Sequence, residues 1–342
     1  MSDALMNKRW LLRKRPEADI TNEQLELVTE PVPELNEGEV LVRNIYLSLD
    51  PTHRLWMSDR EQYLPPVEVG QVMRGGTLGV VEKSRSERFA AGDFVKPMAG
   101  GWELYTVAPE KLLTKVNHNN PDIPLSAWMS VLGSTGITSY FGLLDIGNPQ
   151  PGETVVVTAA AGAVGSIVGQ IAKLKGCRVI GIAGGPEKCR WLTEELGFDG
   201  AIDYRSDNVP EALDRLCPDG VDVQFENVGG EIMDAVFNRL NLNGRLSLCG
   251  MISGYNDERP MSGPTDFGRI LMKRITVKGF IVIDYRPRFP EALEELQQWV
   301  AEGKIQWKDH IIDGIDNALD GLSLLFSGKN NGKLMVRLSQ EP

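Results

Sequence analysis

The sequence is poor in the residues that build metal centres and disulfide frameworks. Its 342 residues include four cysteines and three histidines. The cysteines form no CxxC pair and no tight cluster, so neither a disulfide framework nor a zinc knuckle is indicated. A catalytic zinc usually needs about three protein ligands, and the sequence has no His-Glu pair and no close Cys/His group. We therefore expect no metal site.

The sequence also lacks long apolar runs and an excess of basic residues. No apolar run approaches the ~20 residues that span a bilayer. The first residues, MSDALMNKRWLLRKRPE, are basic but lack the apolar stretch of a secretory signal, so a cytoplasmic location is expected. The net charge of -11 argues against nucleic acid and anionic membrane as partners. The length exceeds one ordinary core and favours two domains.

The first part of the chain, residues 1–134, is rich in strand-like runs that are separated by turn signals. Examples are EVLVRNIYLSL at 39–49 and GTLGVVEKS at 76–84. The tail, residues 305–342, ends in another such run, GKLMVRL. We interpret residues 1–134 as a mostly β domain that the tail completes.

Residues 135–304 have a different pattern, in which strand-like and helix-like segments alternate. VVVTA is followed by GSIVGQIAKLKG, RVIGIAG, PEKCRWLTEELG and GAIDY. This alternation is typical of βαβ units and predicts a doubly wound parallel sheet. The fold class is therefore α/β, with a second, mostly β domain.

The run VVVTAAAGAVGSIVGQ predicts a dinucleotide-binding loop. Gly162 would let the backbone approach a pyrophosphate closely, and Gly165 would let the following helix pack on the strand with its N-terminal amides towards the phosphates. Ala160 occupies the first glycine position of GxGxxG, so the motif is incomplete. The alternative is a tight turn that only packs a helix.

The second strand of this unit ends without an acidic residue. An NAD site needs Asp or Glu about 20 residues after the glycines to bind the ribose hydroxyls. Here the strand ends Ala183-Gly184-Gly185, and Lys188 follows shortly after. A missing carboxylate and a nearby lysine favour the 2'-phosphate of NADPH. The alternative for Lys188 is a solvated lysine at a helix start.

Several motifs together resemble a known family. They are YLSLDP (46–51), TSYFGLLDIG (138–147), AAAGAVGSIVGQIAKLKGCRV (159–179), ENVGG (226–230), CGMISGYN (249–256) and GKNNGK (328–333). The chain resembles the zinc-independent medium-chain dehydrogenases/reductases, in the branch of leukotriene B4 dehydrogenase/prostaglandin reductase and bacterial curcumin reductase. The resemblance implies a GroES-like β domain, an inserted Rossmann domain, NADPH and a homodimer. It implies reduction of a carbon–carbon double bond conjugated to a carbonyl.

The resemblance also implies roles for individual residues. Those carried over to the cofactor site are Gly162, Ala163, Val164, Gly165, Lys188, Tyr204, Asn227, Cys249, Gly250, Ser253, Tyr255, Phe280, Ile281, Val282 and Asn330. One departure is at Thr52 and His53, where the family commonly has tyrosine and methionine. The substrate of this chain is therefore expected to differ from curcumin-like diketones.

Two tyrosines are the candidate catalytic residues. Tyr255 follows a predicted strand end, where ligands of open α/β sheets bind, and its phenol would donate to the enolate oxygen or the cofactor. Tyr63 lies in a proline-flanked loop and is a candidate proton donor. The alternatives are a tyrosine packed at a domain seam and a surface tyrosine. A lone histidine such as His53 is more often structural.

Residues 275–282, ITVKGFIV, predict a late edge strand of the Rossmann sheet. An edge strand exposes unpaired amides, and pairing with a second copy would cover them, so we expect a homodimer. Two alternative functions stay open at this stage. One is a quinone oxidoreductase with the same cofactor site, and the other is a non-catalytic NADPH-binding protein.

Overall fold

The structure, a computed structural model, describes residues 4–257, 259 and 261–342. The chain divides into two compact units. The first contains the chain up to Met129 together with Asp309–Lys329 and Leu334–Pro342; the second contains Ser130–Lys308 and Asn330–Lys333. The predicted boundaries lie a few residues away, at 134/135 and 304/305. The main difference concerns the segment Asn330–Lys333. The sequence predicts it as part of the β domain, whereas in the structure it belongs to the second unit.

The first unit is built mainly from strands. They are β1 (Met6–Leu12), β2 (Leu25–Pro31), β3 (Glu39–Ser48), β4 (Thr77–Ser84), β5 (Phe94–Pro97), β6 (Tyr105–Pro109), β7 (Leu113–Lys115), β14 (Asp309–Asp313) and β15 (Lys333–Arg337). Strands β1 and β2 form a hairpin-like pair, and the others form a seven-stranded sheet in the order β14-β15-β3-β4-β5-β7, with β6 also on β3. The tail strand β15 pairs antiparallel with β3, so that Met335 lies opposite Ser48.

The second unit contains a six-stranded parallel sheet. Its strands are β8 (Thr154–Thr158), β9 (Arg178–Ala183), β10 (Gly200–Asp203), β11 (Val221–Glu226), β12 (Leu240–Leu248) and β13 (Thr276–Gly279). Their order is β10-β9-β8-β11-β12-β13, and each neighbouring pair is parallel. This is the Rossmann order 3-2-1-4-5-6, in which the chain reverses direction across the sheet between β8 and β11. Ligands of such sheets bind at the carboxyl ends of the strands around that point.

The α-helices lie in both units: Thr52–Trp56 and Ala318–Phe326 belong to the first unit, and the others connect the strands of the parallel sheet or cover it. The α-helices are α1 (Thr52–Trp56), α2 (Ser134–Phe141), α3 (Gly165–Leu174), α4 (Pro186–Arg190), α5 (Val209–Leu216), α6 (Gly230–Phe237), α7 (Gly268–Lys273), α8 (Phe289–Ala301) and α9 (Ala318–Phe326). A π-helix follows α2 at Gly142–Gly147 and another follows α4 at Trp191–Glu195. Helix α3 buries the predicted face, including Ile167 and Ile171, and ends before Gly176 at φ +80°.

The parallel sheet is apolar because both of its faces are covered. All five residues of β8 are buried, and Val156, Ile180 and Ile202 of three neighbouring strands share one core cluster with Phe237. Helix α3 begins directly over the end of β8. The core therefore fixes the position of the loop that joins β8 to α3.

The predicted strand at 275–282 is shorter than expected. Strand β13 contains only Thr276–Gly279, and a 3-10 segment follows at Val282–Arg288. The chain leaves the sheet because the Phe280 ring packs inwards. The centres of the Phe280 and Phe225 rings are 6.4 Å apart, and the Phe280 ring also packs against the backbone of Gly142. Strand β13 is nevertheless the outer strand of the sheet, as the sequence predicted, and all four of its residues are exposed.

Candidate active site

The loop between β8 and α3 is so tight that the backbone at Gly165 packs against the backbone of Ala159 and Ala160. Ala159 has φ +48°, an unusual conformation for a residue with a side chain. A Cβ atom on Gly165 would lie 2.5 Å from the Ala159 carbonyl oxygen and 2.8 Å from the Cα atom of Ala160. Only glycine fits at position 165. The N-terminal amides of the ten-residue helix α3 begin there, so the loop can hold an anionic group without a side chain in the way.

The tail segment Asn330–Lys333 lies along this loop. The Gly332 amide donates to the Ala161 carbonyl at 3.3 Å, and Gly162 and Gly332 form an isolated parallel bridge. The Asn330 side-chain amide donates to the Gly332 carbonyl at 3.1 Å, which shapes the turn. Asn330 thus lies in the segment that runs beside the loop of Gly162, Ala163 and Val164.

Two cations lie together beyond the end of β9. Lys188 is half-buried at the start of α4, and both burial and the nearby charge of Arg205 lower the pKa of its ammonium group. Tyr204 and Arg205 lie over Gly184: a Cβ atom there would be 2.8 Å from the Tyr204 ring and 2.9 Å from Nε of Arg205. The Arg205 guanidinium is 5.9 Å from the centre of the Tyr204 ring. An anion bound between Lys188 and Arg205 would offset the repulsion between these two positive charges.

The carboxylate of Asp203 fixes this arrangement. It accepts the backbone amides of Gly185 at 2.8 Å and Arg205 at 3.0 Å. Burial alone would raise the pKa of Asp203, but these amides and the charge of Arg205 hold it below the usual value. The Asp203 carboxylate therefore accepts backbone hydrogen bonds from the two segments that carry Lys188 and Arg205. It positions these two segments.

A second buried carboxylate organises the ends of β8 and β11. Glu226 is fully buried and accepts the Thr158 hydroxyl at 2.9 Å, the Gln224 amide at 2.7 Å and the amides of Val228 and Gly229 at 2.6 and 2.8 Å. Its burial raises its pKa, while these donors act in the opposite direction. Since every partner is a donor, the carboxylate holds the ENVGG turn in one conformation.

Asn227 ties the two strand ends together. Its backbone amide donates to the Thr158 hydroxyl at 2.8 Å, and its side-chain amide donates to the Thr158 carbonyl, also at 2.8 Å. The strand ends on both sides of the β8/β11 switch point are thereby fixed.

The loop after β12 folds back on the ENVGG turn and carries Tyr255. The Ser253 hydroxyl donates to the Val228 carbonyl at 2.6 Å. The Tyr255 phenol oxygen accepts the Met251 amide at 3.2 Å, and a Cβ atom on Gly250 would lie 3.0 Å from that oxygen. Burial, and secondarily the Glu226 charge, raises the pKa of the Cys249 thiol to about 12, which favours the protonated thiol at neutral pH.

The other predicted cofactor residues of this loop region lie at the end of β13. The Phe280 ring packs beside the rings of Phe225 and Tyr285, with centres 6.4 and 6.5 Å apart. Ile281 and Val282 follow it, both partly exposed. Phe280 therefore contributes mainly to packing, and the two aliphatic residues remain the candidates for contact with a ligand.

The first unit brings Tyr63 together with Thr52. The two hydroxyl oxygens are 2.6 Å apart, within hydrogen-bonding distance. Burial raises the pKa of the Tyr63 phenol above its ordinary value of 10, while the Thr52 hydroxyl and the Trp56 indole oppose the rise. His53 is fully buried between the rings of Trp56 and Trp102, with centres 5.1 and 5.5 Å away. It is a core residue, as the sequence favoured.

The whole chain matches known reductases. A model described as "N-terminal domain of oxidoreductase" matches residues 8–116, and one described as "Zinc-binding dehydrogenase" matches residues 163–298. NADPH-dependent curcumin reductase of Escherichia coli is 44% identical over 97% of each chain, and bovine prostaglandin reductase 1 is 39% identical over 96% of this chain and 98% of that one. The chain belongs to the zinc-independent medium-chain dehydrogenases/reductases, in the branch of the curcumin and prostaglandin reductases.

A solved member of this reductase branch extends the comparison to the fold. The crystal structure of CurA from Vibrio vulnificus in complex with NADPH has a TM-score of 0.92 and 43% identity, and the match covers 98% of this chain and all of that one. The predicted fold, a GroES-like β domain with a Rossmann domain, is confirmed. The predicted cofactor, NADPH, is confirmed as the cofactor of the branch.

The residues of this reductase fit that cofactor on their own geometry. The β8–α3 loop is open to a pyrophosphate at Gly162 and Gly165, and the Lys188 and Arg205 pair fits the charge of a 2'-phosphate.

Within the described residues, no three His, Cys, Asp or Glu side chains are grouped as a metal ion would need. None of the helices in the described part of this reductase is long and apolar enough to cross a membrane.

Proposed function

We propose that this protein uses NADPH to reduce the carbon–carbon double bond of α,β-unsaturated ketones and aldehydes. The observation that carries the proposal is the match to NADPH-dependent curcumin reductase over 97% of the chain, with a phosphate loop and a two-cation site at the places such an activity needs. The substrate is a small conjugated carbonyl compound, with no nucleic acid or membrane as partner. The cytoplasm is the expected compartment, which cell fractionation tests.

The chain's own residues hold and orient the cofactor in this reaction. NADPH, when bound, supplies a hydride to the β-carbon of the substrate. Gly162 to Gly165 and Asn330 hold the pyrophosphate side, Lys188, Tyr204 and Arg205 hold the 2'-phosphate, and Asn227 fixes the strand ends beneath the cofactor. The loop from Cys249 to Tyr255 and the residues Ile281 and Val282 line the nicotinamide side. Positioning of this kind removes much of the entropic barrier to hydride transfer.

Negative charge develops on the substrate oxygen, and a proton must reach the α-carbon. A phenol can donate a hydrogen bond to the oxygen or transfer the proton. Tyr255 and Tyr63 are the two candidates. We assign the hydrogen bond to the oxygen or the cofactor to Tyr255, because its phenol oxygen is held by the Met251 amide. We assign the proton to Tyr63, whose phenol oxygen lies 2.6 Å from the Thr52 hydroxyl oxygen, within hydrogen-bonding distance.

A steady-state assay separates this activity from the two alternatives. Purified protein is given NADPH and either a medium-chain 2-enone or a naphthoquinone, and NADPH absorbance is followed. We expect the kcat/KM for the enone to exceed that for the quinone. A preference for the quinone would show a quinone oxidoreductase. Tight NADPH binding without turnover of any conjugated carbonyl would show a non-catalytic NADPH-binding protein.

We also propose a homodimer through the outer strand β13. Large apolar side chains are exposed on and beside this strand: Val277 is 40% exposed, and Phe267, Leu271 and Met272 are 69, 73 and 69% exposed. An exposed outer strand next to an apolar patch is a surface that proteins usually cover. A second copy of β13 would pair with the free edge and bury the patch.

The substitution Val277→Lys tests this dimer. A lysine on the outer strand would place like charges near the two-fold axis and is expected to produce monomers, which analytical ultracentrifugation detects. Met98→Lys is the control, because Met98 is 49% exposed in the first unit, away from β13 in sequence. A wild-type monomer, or a dimer that persists in Val277→Lys, would refute this interface.

A further inference from the structure

Arg74 of the first unit has an unusual environment for a charged residue. Its guanidinium lies over the Trp56 ring, 5.3 Å from the ring centre, and Nη1 donates to the Pro65 carbonyl at 3.0 Å. Arg74 is half-buried, and burial lowers the pKa of its guanidinium. The indole attracts the planar cation, and the guanidinium has further N–H donors besides the one that contacts Pro65.

No carboxylate of the described residues forms an ion pair with Arg74. Two other partly buried arginines are paired with carboxylates: Arg43 with Glu82 and Arg245 with Glu153. The chain has a net charge of -11, so acidic partners are plentiful. A partly desolvated cation without a counterion is costly, and such a group favours an anion brought by a ligand.

Tyr63, the proposed proton donor, lies close enough to this cation to interact with its charge. The Arg74 charge acts on the Tyr63 phenol, and the Tyr63 and Thr52 hydroxyl oxygens are 2.6 Å apart. The carboxylate of Asp50, which also acts on the phenol, is hydrogen-bonded to the Ser48 hydroxyl. Thr52 and Trp56 both belong to helix α1, so one short helix carries the hydroxyl and the ring on which the cation rests.

We propose that Arg74 is a specificity residue that binds a carboxylate of the substrate. The guanidinium lies over the Trp56 ring, and its planar set of N–H donors suits a bidentate contact with a carboxylate. The substrates favoured by this subsite are conjugated ketones and aldehydes that also carry a carboxylate a few carbons from the alkene, since Arg74 lies close to Tyr63. This inference rests on the proposed function. A purely structural Arg74 would instead hold the loop at Pro65.

Two probes test the subsite: a short straight-chain vinyl ketone that ends in a carboxylate, and its methyl ester. The ratio of kcat/KM for acid and ester is measured for wild type, Arg74→Met, Arg74→Lys and Arg88→Met. Arg88 is the matched control, because its guanidinium lies 5.6 Å from the centre of the Phe89 ring in the same unit. We expect Arg74→Met to lower the acid/ester ratio roughly tenfold to a hundredfold. Arg74→Lys should recover part of the loss, and Arg88→Met should leave the ratio unchanged.

If Arg74→Met does not fold, the salt dependence of the acid/ester ratio in the wild-type enzyme is an independent test. This ratio should fall as ionic strength rises, since salt screens the charge contact. A wild-type ratio near one, or an equal ratio in wild type and folded Arg74→Met, would overturn the subsite. Failure of the proposed function looks different: neither probe is reduced. Calorimetric titration with the saturated keto acid and its ester then tests the subsite alone, and equal binding of the two overturns it.

Discussion

Replacing Lys188 by alanine is expected to weaken NADPH binding tenfold to a hundredfold while NADH binding changes little. A lost charge-assisted hydrogen bond costs about 1.5–3 kcal/mol, which corresponds to that range. Arg205→Ala should act in the same direction, because Arg205 lies beside Lys188 and lowers the pKa of its ammonium group. The double variant should approach equal affinity for the two cofactors. Fluorescence titration with NADPH and with NADH measures both dissociation constants for wild type and for each variant.

The control for these variants is Arg190→Ala. Arg190 is an exposed cation on the same helix α4, so its removal changes the net charge equally. It should leave the NADPH/NADH preference as in wild type. An equal loss of affinity for NADH and NADPH in Lys188→Ala and Arg205→Ala would contradict the assignment of the 2'-phosphate to this pair.

Replacing Tyr63 by phenylalanine is expected to lower kcat by roughly a hundredfold to ten-thousandfold, the usual contribution of a general acid. The hydroxyl is lost while the ring that packs near Trp56 stays. Tyr105→Phe, in the same unit, is the matched control and should retain the wild-type kcat. Tyr255→Phe tests the rival donor. If Tyr255→Phe lowers kcat by this factor and Tyr63→Phe keeps the wild-type kcat, the two roles are reversed.

The pH dependence of kcat follows from the raised pKa of Tyr63. A proton donor acts in its protonated form, and burial keeps that form present above the ordinary pKa of 10. The rate should therefore show no alkaline fall between neutral pH and about pH 10 that depends on Tyr63. A decline centred well below pH 10 that disappears in Tyr63→Phe would contradict the raised pKa.

Much of the fold could be predicted because it depends on local patterns. The alternation of apolar runs with helix patterns predicted the parallel sheet, and Gly162 and Gly165 marked the loop after its central strand. Strand β13 was predicted too long, because the β-branched residues of 275–282 give no sign that Phe280 turns inwards to pack on Gly142 and Phe225. Tertiary packing there overrides strand propensity.

The missed site residues are those whose roles depend on contacts between distant segments. The absence of an acid after β9 predicted a phosphate site, but Asp203 and Arg205 lie some twenty residues further on and reach that site only through the β9–β10 pairing. Glu226 precedes Asn227 in the ENVGG motif, and nothing in the sequence shows that its carboxylate gathers four donors. No sequence pattern marks Arg74, since its proposed role depends on its contact with the Trp56 ring.

The central claim is that hydride passes from NADPH to the β-carbon of a conjugated carbonyl compound. NADPH stereospecifically deuterated at C4 of the nicotinamide is incubated with the protein and a medium-chain 2-enone, and the product is examined by NMR. Both deuterated epimers are used, so that one of them delivers label. The account predicts a saturated ketone with deuterium at the β-carbon and none at the carbonyl carbon. Deuterium on the carbonyl carbon of an allylic alcohol would contradict it.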